Sequence, residues 1–201
     1  MTNPLHSSES QEHYTPKPII EAARRTMQGI DLDPCSCEQA NRIVNADVFW
    51  DEKTDGLHKF WTLTGKLHGP PAKVLLNAPG GIDRRGNSIH KRWLKKVLKE
   101  HKKGRVSSAV IICFNIGTAC SIPDLFSFPI CIPTSKAQDP CVSSGTGRIR
   151  FDAVIDGVRC RQASPTQNNI IVFLPPEDPA AIVRFGDEFK RFGATGILGA
   201  I

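Results

Sequence analysis

Two short stretches set a polar side chain at the end of an apolar run and follow it at once with a rigid turn: Ile30-Asp31-Leu32-Asp33-Pro34-Cys35-Ser36 and Val74-Leu75-Leu76-Asn77-Ala78-Pro79-Gly80. In an open α/β sheet, ligands bind outside the carboxyl ends of the strands, so Asp33 and Asn77 stand where binding groups belong. Turns of both types are common, and neither stretch identifies a chemistry alone. Several chemistries are set aside by spacing. Cys35 and Cys37 are one residue too close for the usual zinc pair, with no second close pair or Cys-His pair, so no metal is expected. No Gly-Lys-Ser/Thr closes a glycine-rich stretch, which removes a phosphate loop, and no nucleophile elbow marks a hydrolase.

A second feature is a block of charge. From Asp83 to Arg105 the chain carries ten Lys or Arg against two acids, a net of about +8, so the remainder of a chain whose formal charge is +6 sums to about −2. Such a block is an electrostatic footprint for a polyanion, of which nucleic acid is the commonest, and it makes Arg84, Arg85, Lys91, Lys95 and Lys99 candidate phosphate contacts. The alternative is a solvated helix face.

The elements that must position these groups follow from pattern. Thr15-Pro16-Lys17-Pro18 ahead of Ile19, Ile20, Ala22, Ala23 and Met27 predicts a helix stopped by Gly29. Short strands are expected at Ile30 to Leu32 and Lys73 to Asn77, the latter closed by Ala78-Pro79-Gly80-Gly81. Ile89, Trp93, Leu94, Val97 and Leu98 recur at helical spacing with lysines on the other faces. The uninterrupted apolar runs Ala109 to Phe114, Ile130 to Ile132 and Ile170 to Leu174 read as parallel strands covered on both sides. Late in the chain, Arg148 to Phe151 and Ala153 to Val158 are expected to pair as a hairpin, and Phe185 to Phe192 to form a closing helix.

The chain has 201 residues, 40% of them hydrophobic and 23% charged, which suits one globular domain over residues 14–201 behind a flexible tail over 1–13. No run of eighteen apolar residues is present, and the first thirteen have no apolar stretch of signal-peptide type, so neither membrane insertion nor standard export is expected. Seven cysteines, an odd number, suit reduced thiols, mostly buried and inert, in a cytoplasmic protein.

Taken together, Tyr14-Thr15-Pro16, IDLDPCS at 30–36, AN at 40–41, VNAD at 44–47, DGL at 55–57, Trp61, LLNAPGG at 75–81, GRIRF at 147–151 and SPTQNNIIVFLP at 164–175 resemble the Dam-type DNA adenine methyltransferases of phages and other mobile elements. The resemblance spans nearly everything after residue 13. It implies a single-domain, Rossmann-like α/β methyltransferase fold, S-adenosylmethionine as methyl donor, DNA as partner and transfer to the exocyclic amino group of adenine. It also implies that Thr15, Pro16, Asp33, Pro34 and Ser36 lie against the cofactor. Asp47 is the candidate for the ribose hydroxyls, with Asp51 and Glu52 competing.

The adenine amino group is a poor nucleophile, because its lone pair is delocalised into the ring. An enzyme must hold both hydrogens with acceptors and aim the lone pair at the methyl group. Asn77 offers a side-chain carbonyl and Ala78 a backbone carbonyl, with Pro79 holding residue 78 extended. Two departures from the family stand out. Asn77-Ala78-Pro79-Gly80 replaces the usual N-P-P-aromatic motif, so the ring on which a flipped base stacks is missing at 80; Phe49, Trp50 and Phe114 are candidates to replace it, and Gly80→Tyr is expected to leave activity equal or higher. Cys35-Ser36-Cys37 stands in place of a glycine-rich cofactor loop. The competing expectation is a methyltransferase-fold protein that binds nucleic acid or a protein partner without catalysis.

Overall fold

A computed structural model describes residues 13–155, 158–161 and 167–198. Pro16 caps helix α1, Lys17–Met27, and accepts the amides of Ile19 and Ile20; Ile19, Ile20, Ala22, Ala23 and Met27 form its buried face. Gln28 (φ 58°) and Gly29 (φ 136°) take left-handed backbone, which ends the helix. Chain order continues with β1 (Leu32–Asp33), α2 (Glu38–Val44), β2 (Val48–Phe49), β3 (Ala72–Leu76), α3 (Ile89–Lys102), β4 (Val106–Cys113), α4 (Ile116–Cys120) and β5 (Pro129–Pro133). It closes with β6 (Asp152–Ile155), β7 (Val158–Arg161), β8 (Ile170–Leu174), α5 (Pro179–Phe189) and β9 (Gly193–Ile197).

Seven strands form one sheet in the order β2-β1-β3-β4-β8-β5-β9, and β6 pairs with β7 separately. The half from β2 to β4 is wholly parallel, with Leu32 level with Val74 and Leu76 level with Ile111. Alternate residues of the central strands feed two cores. Leu75, Val110, Ile112, Ile171 and Phe173 pack with α1 and α5, whereas Val74, Leu76, Ala109, Ile111 and Val172 pack with Trp93, Leu94 and Val97 of α3. This is a mixed α/β sheet covered on both faces, compatible with a Rossmann-like arrangement. No helix among the described residues is long and apolar enough to cross a membrane.

Three expectations are corrected. Ile170 to Leu174 is fully buried as anticipated, but β8 runs antiparallel to both β4 and β5, and β5, which holds Ile130 to Ile132, also pairs antiparallel with β9, so neither run makes a parallel pairing. A continuous apolar run reports cover on both faces, and strand direction leaves no mark on it. The late hairpin joins 152–155 to 158–161; residues 148–151 instead answer to 141–143, with the Ser143 amide donating to the Arg148 carbonyl and the Arg150 amide to the Cys141 carbonyl. The last helix starts six residues early, because Asp178 accepts the Ala180 amide and Pro179 fits the first turn. Of the anticipated tail, residues 1–12 lie outside the described residues, and His13 belongs to the fold through its carbonyl. Among the described cysteines, Cys113, Cys131 and Cys141 are buried, Cys35 and Cys37 half-buried and Cys120 exposed, all as free thiols; Cys160 lies outside the residues whose side chains are described.

Candidate functional site

The carboxyl ends of β1, β3 and β4 lie side by side, and each delivers a functional group there. Asp33 ends β1 with only 6% of its surface exposed. Pro34 turns the chain, the Ser36 amide donates to the Trp50 carbonyl, and Cys37 caps α2 by accepting the Ala40 amide. The turn is tightly backed: a Cβ on Gly56 would lie 2.1 Å from the Pro34 carbonyl oxygen, and the Gly56 carbonyl accepts the indole N–H of fully buried Trp61 at 2.8 Å. The DGL stretch and Trp61 thus act as the wall behind Asp33-Pro34.

Burial raises the Asp33 carboxyl to about 6. The Ser36 hydroxyl and Cys35 amide offset part of that rise. Asp33 Oδ1 and Ser36 Oγ are nonetheless buried without a well-formed hydrogen bond. Unsatisfied buried acceptors of this kind are costly and call for a donor. Cys35, its thiol pushed well up by burial and then by the Asp33 charge, donates to the Asn77 carbonyl at 3.4 Å and so joins the ends of β1 and β3.

Asn77 is half-buried, and its Nδ2 donates to the His13 carbonyl at 2.8 Å. That bond fixes the amide so that Oδ1 remains as the acceptor. Tyr14 exchanges backbone hydrogen bonds with Asp152, which seats buried Thr15 and Pro16 beside this loop. Thr15, Pro16, Asp33, Pro34, Ser36, Asn77, Ala78 and Pro79 therefore share one end of the sheet. Asp47 stands apart: it is exposed, precedes β2, and its amide donates to the Ile30 carbonyl ahead of β1. Asp51, beyond the carboxyl end of β2, lies on the Asp33 side, with its carboxylate held by the Thr54 amide and hydroxyl.

His90 is a component that the sequence reading missed. It is 1% exposed on α3, with Nδ1 3.3 Å from the Ala78 carbonyl and Nε2 3.1 Å from Cys113 Sγ. Burial lowers its pKa to about 4, against the pull of the Ala78 and Pro79 backbone, so it is neutral at pH 7. A carbonyl only accepts, so Nδ1 carries the proton and steadies one lone pair of Ala78, leaving the second for a ligand. Its helical spacing to Trp93, Leu94 and Val97 was the available signal.

The ring of Phe114, one residue past β4, lies 4.2 Å from the His90 ring. A Cβ on Gly80 would sit 2.7 Å from Phe114 Cζ. A side chain at position 80 meets the Phe114 ring where it stands, which argues against the expectation for Gly80→Tyr. The Phe114 carbonyl accepts Asn169 Nδ2 at 3.1 Å, and Asn169 Oδ1 accepts the Ile149 amide at 2.9 Å. The NN and GRIRF stretches hold this strand end in place.

No protein-family model, curated protein or solved structure matches this chain.

Beyond Gly81 the surface turns basic. Asp83 Oδ1 accepts the amides of Arg85 and Asn87, both at 2.9 Å, which shapes a turn that presents Arg84 and Arg85. With Lys91 and Lys95 they border an open concavity of about 890 Å³, next to the Asn77 loop. Lys99 is exposed farther along α3. Lys96 and Arg105 are taken up inside, where both pair with buried Glu100; against the effect of its burial, these partners and the Trp61 amide bring that carboxyl down to about 2. Among the described residues no cluster of three His, Cys, Asp or Glu side chains is arranged to hold a metal ion.

Proposed function

We propose that this chain transfers the methyl group of S-adenosylmethionine to the exocyclic amino group of adenine in DNA. The observation that carries the reading is the meeting, at the carboxyl ends of adjacent parallel strands, of a buried carboxylate whose Oδ1 has no well-formed hydrogen bond with an asparagine whose amide is pinned to present Oδ1. A sheet of this kind binds ligands at that end. The residues present fit the cofactor: Asp33 Oδ1 and Ser36 Oγ lack a well-formed hydrogen bond, and S-adenosylmethionine carries ammonium, amino and hydroxyl donors together with positive charge. Thr15, Pro16, Asp33, Pro34 and Ser36 would hold it, and it would supply an electrophilic methyl group.

In this reading Asn77 Oδ1 and the free lone pair of the Ala78 carbonyl accept the two amino hydrogens. The amino nitrogen becomes tetrahedral as its lone pair leaves the ring, and both hydrogen bonds strengthen with that change. Neither group is a strong base. They orient the lone pair and carry the developing positive charge. Arg84, Arg85, Lys91, Lys95 and Lys99 would contact phosphates, which position the duplex without reading its sequence.

Labelled methyl transfer to unmodified duplexes of varied sequence tests the reading. Asn77→Ala is expected to lower transfer about 10²-fold, the scale for one hydrogen bond made mainly in the transition state, with cofactor affinity nearly unchanged. Bound cofactor without any transfer by the wild type would select the binding-only alternative, which the missing ring at Gly80 favours; transfer that survives Asn77→Ala would move the active site elsewhere.

A further inference from the structure

We infer that Phe114 is the surface on which the extruded base stacks, and that position 80 is glycine because the Phe114 ring fills the space its side chain would take. The inference rests on the adenine-methylation reading and adds the group that recognises the base face. A base taken out of a duplex loses its neighbours on both sides, and proteins that extrude bases replace them with aromatic or apolar side chains.

Three rings were open for this role, and their places in the fold separate them. Trp50 is 8% exposed and belongs to the core beneath the sheet. Phe49 ends β2, which is separated from β3 by β1. Phe114 follows β4, the immediate neighbour of β3, and the register that sets Leu76 level with Ile111 brings residue 114 level with Pro79 when continued. It is half-buried and not sealed in the core.

The contact with Gly80 has a direction. An added Cβ would meet Phe114 Cζ at 2.7 Å and its two flanking ring carbons at 3.4 and 3.5 Å, so the tip of the ring points at the Gly80 Cα. Contacts under 3.0 Å cannot persist, so the ring must shift to admit a side chain at 80, and the His90 ring, its centroid 4.2 Å from that of Phe114, borders the space into which it could move. His90 therefore supports two parts of the base site: Nδ1 steadies the Ala78 carbonyl, and the imidazole backs the ring. A side chain at 80 and the ring at 114 in its present place compete for the same space. One aromatic group serves the site, delivered from β4 instead of from the loop after β3.

That competition gives the experiment. Wild type, Phe114→Leu, Gly80→Tyr and the double variant Phe114→Ala/Gly80→Tyr are compared in kcat/KM for methyl transfer and in the fluorescence rise of 2-aminopurine at the target position, with cofactor affinity by calorimetry as the check that each is folded. Phe114→Leu keeps apolar bulk and loses the flat face. It is expected to lower kcat/KM and flipping about ten- to hundredfold at unchanged cofactor affinity, the range for one base–aromatic stack. Gly80→Tyr alone also loses activity, through the clash, and the double variant exceeds both single variants. Wild-type transfer rates in Phe114→Leu, or a double variant no better than Phe114→Leu, would overturn the inference while leaving the methylation reading in place. Absence of transfer by the wild type removes that reading, and the inference with it.

Discussion

Replacing Asp33 with asparagine keeps the shape of the side chain and removes a charge that is costly where it sits. Burial lifts this carboxyl from 3.8 to about 6. At about 1.4 kcal/mol per unit of pKa, the folded state then bears a penalty of about 3 kcal/mol once the group is ionised in both states. The sign follows from the two titrations. Well below pH 3.8 the carboxyl is protonated whether the chain is folded or not, and the penalty is absent. Between pH 4 and 6 the unfolded chain ionises first, and stability is lost; above 6 the loss is complete. Urea unfolding of wild type and Asp33→Asn should therefore give equal stabilities well below pH 3.8 and a variant more stable by about 3 kcal/mol at pH 7.5, with equal m-values. S-adenosylmethionine should reverse the order once it is in sufficient excess, because a ligand at 1,000 times its Kd stabilises by about 4.1 kcal/mol and the asparagine variant binds poorly. Wild-type affinity for the cofactor should fall as pH drops below 6, where Asp33 takes up a proton. A variant no more stable than wild type at pH 7.5, or a difference constant across pH, would refute the reasoning, since it would mean that the carboxylate already has a partner or water.

Replacing Lys91, Lys95 and Lys99 with alanine should weaken DNA binding on every sequence and reduce the slope of log K against log salt by up to about 3, one per lost phosphate contact; superimposable salt titrations would make this a solvated face. Gly56→Ala should press on the Pro34 carbonyl, cost about 1–3 kcal/mol and weaken cofactor binding more than DNA binding, as read by calorimetry and denaturant unfolding.

What the sequence disclosed was mostly local. Strand tips followed by proline marked Asp33 and Asn77, and apolar spacing marked α1 and α3, because each is set by residues within one turn or strand. The antiparallel insertion of β8 was hidden, since burial on both faces looks alike in either direction. β9, Gly-Ala-Thr-Gly-Ile, has little apolar content and owes its place to pairing with β5. Within the site, the close approach of Gly80 and Phe114 joins residues that follow two different strands, and a lone glycine in a turn motif reads first as a turn. The basic block overstated the charge facing solvent, since Lys96 and Arg105 are spent on Glu100, a pairing that periodicity alone does not reveal.

The bond from Asn77 to His13 carries a consequence for how the molecule is made. The segment that orients Asn77 is near the start of the chain, yet Tyr14, next to His13, is held by backbone bonds to Asp152. During synthesis this segment is made well before Asp152, and its backbone bonds to that residue wait until most of the sheet has been added. Contacts between distant stretches close late and slowly. The segment that orients the Asn77 amide is thus fully seated only when two distant stretches of the polypeptide meet.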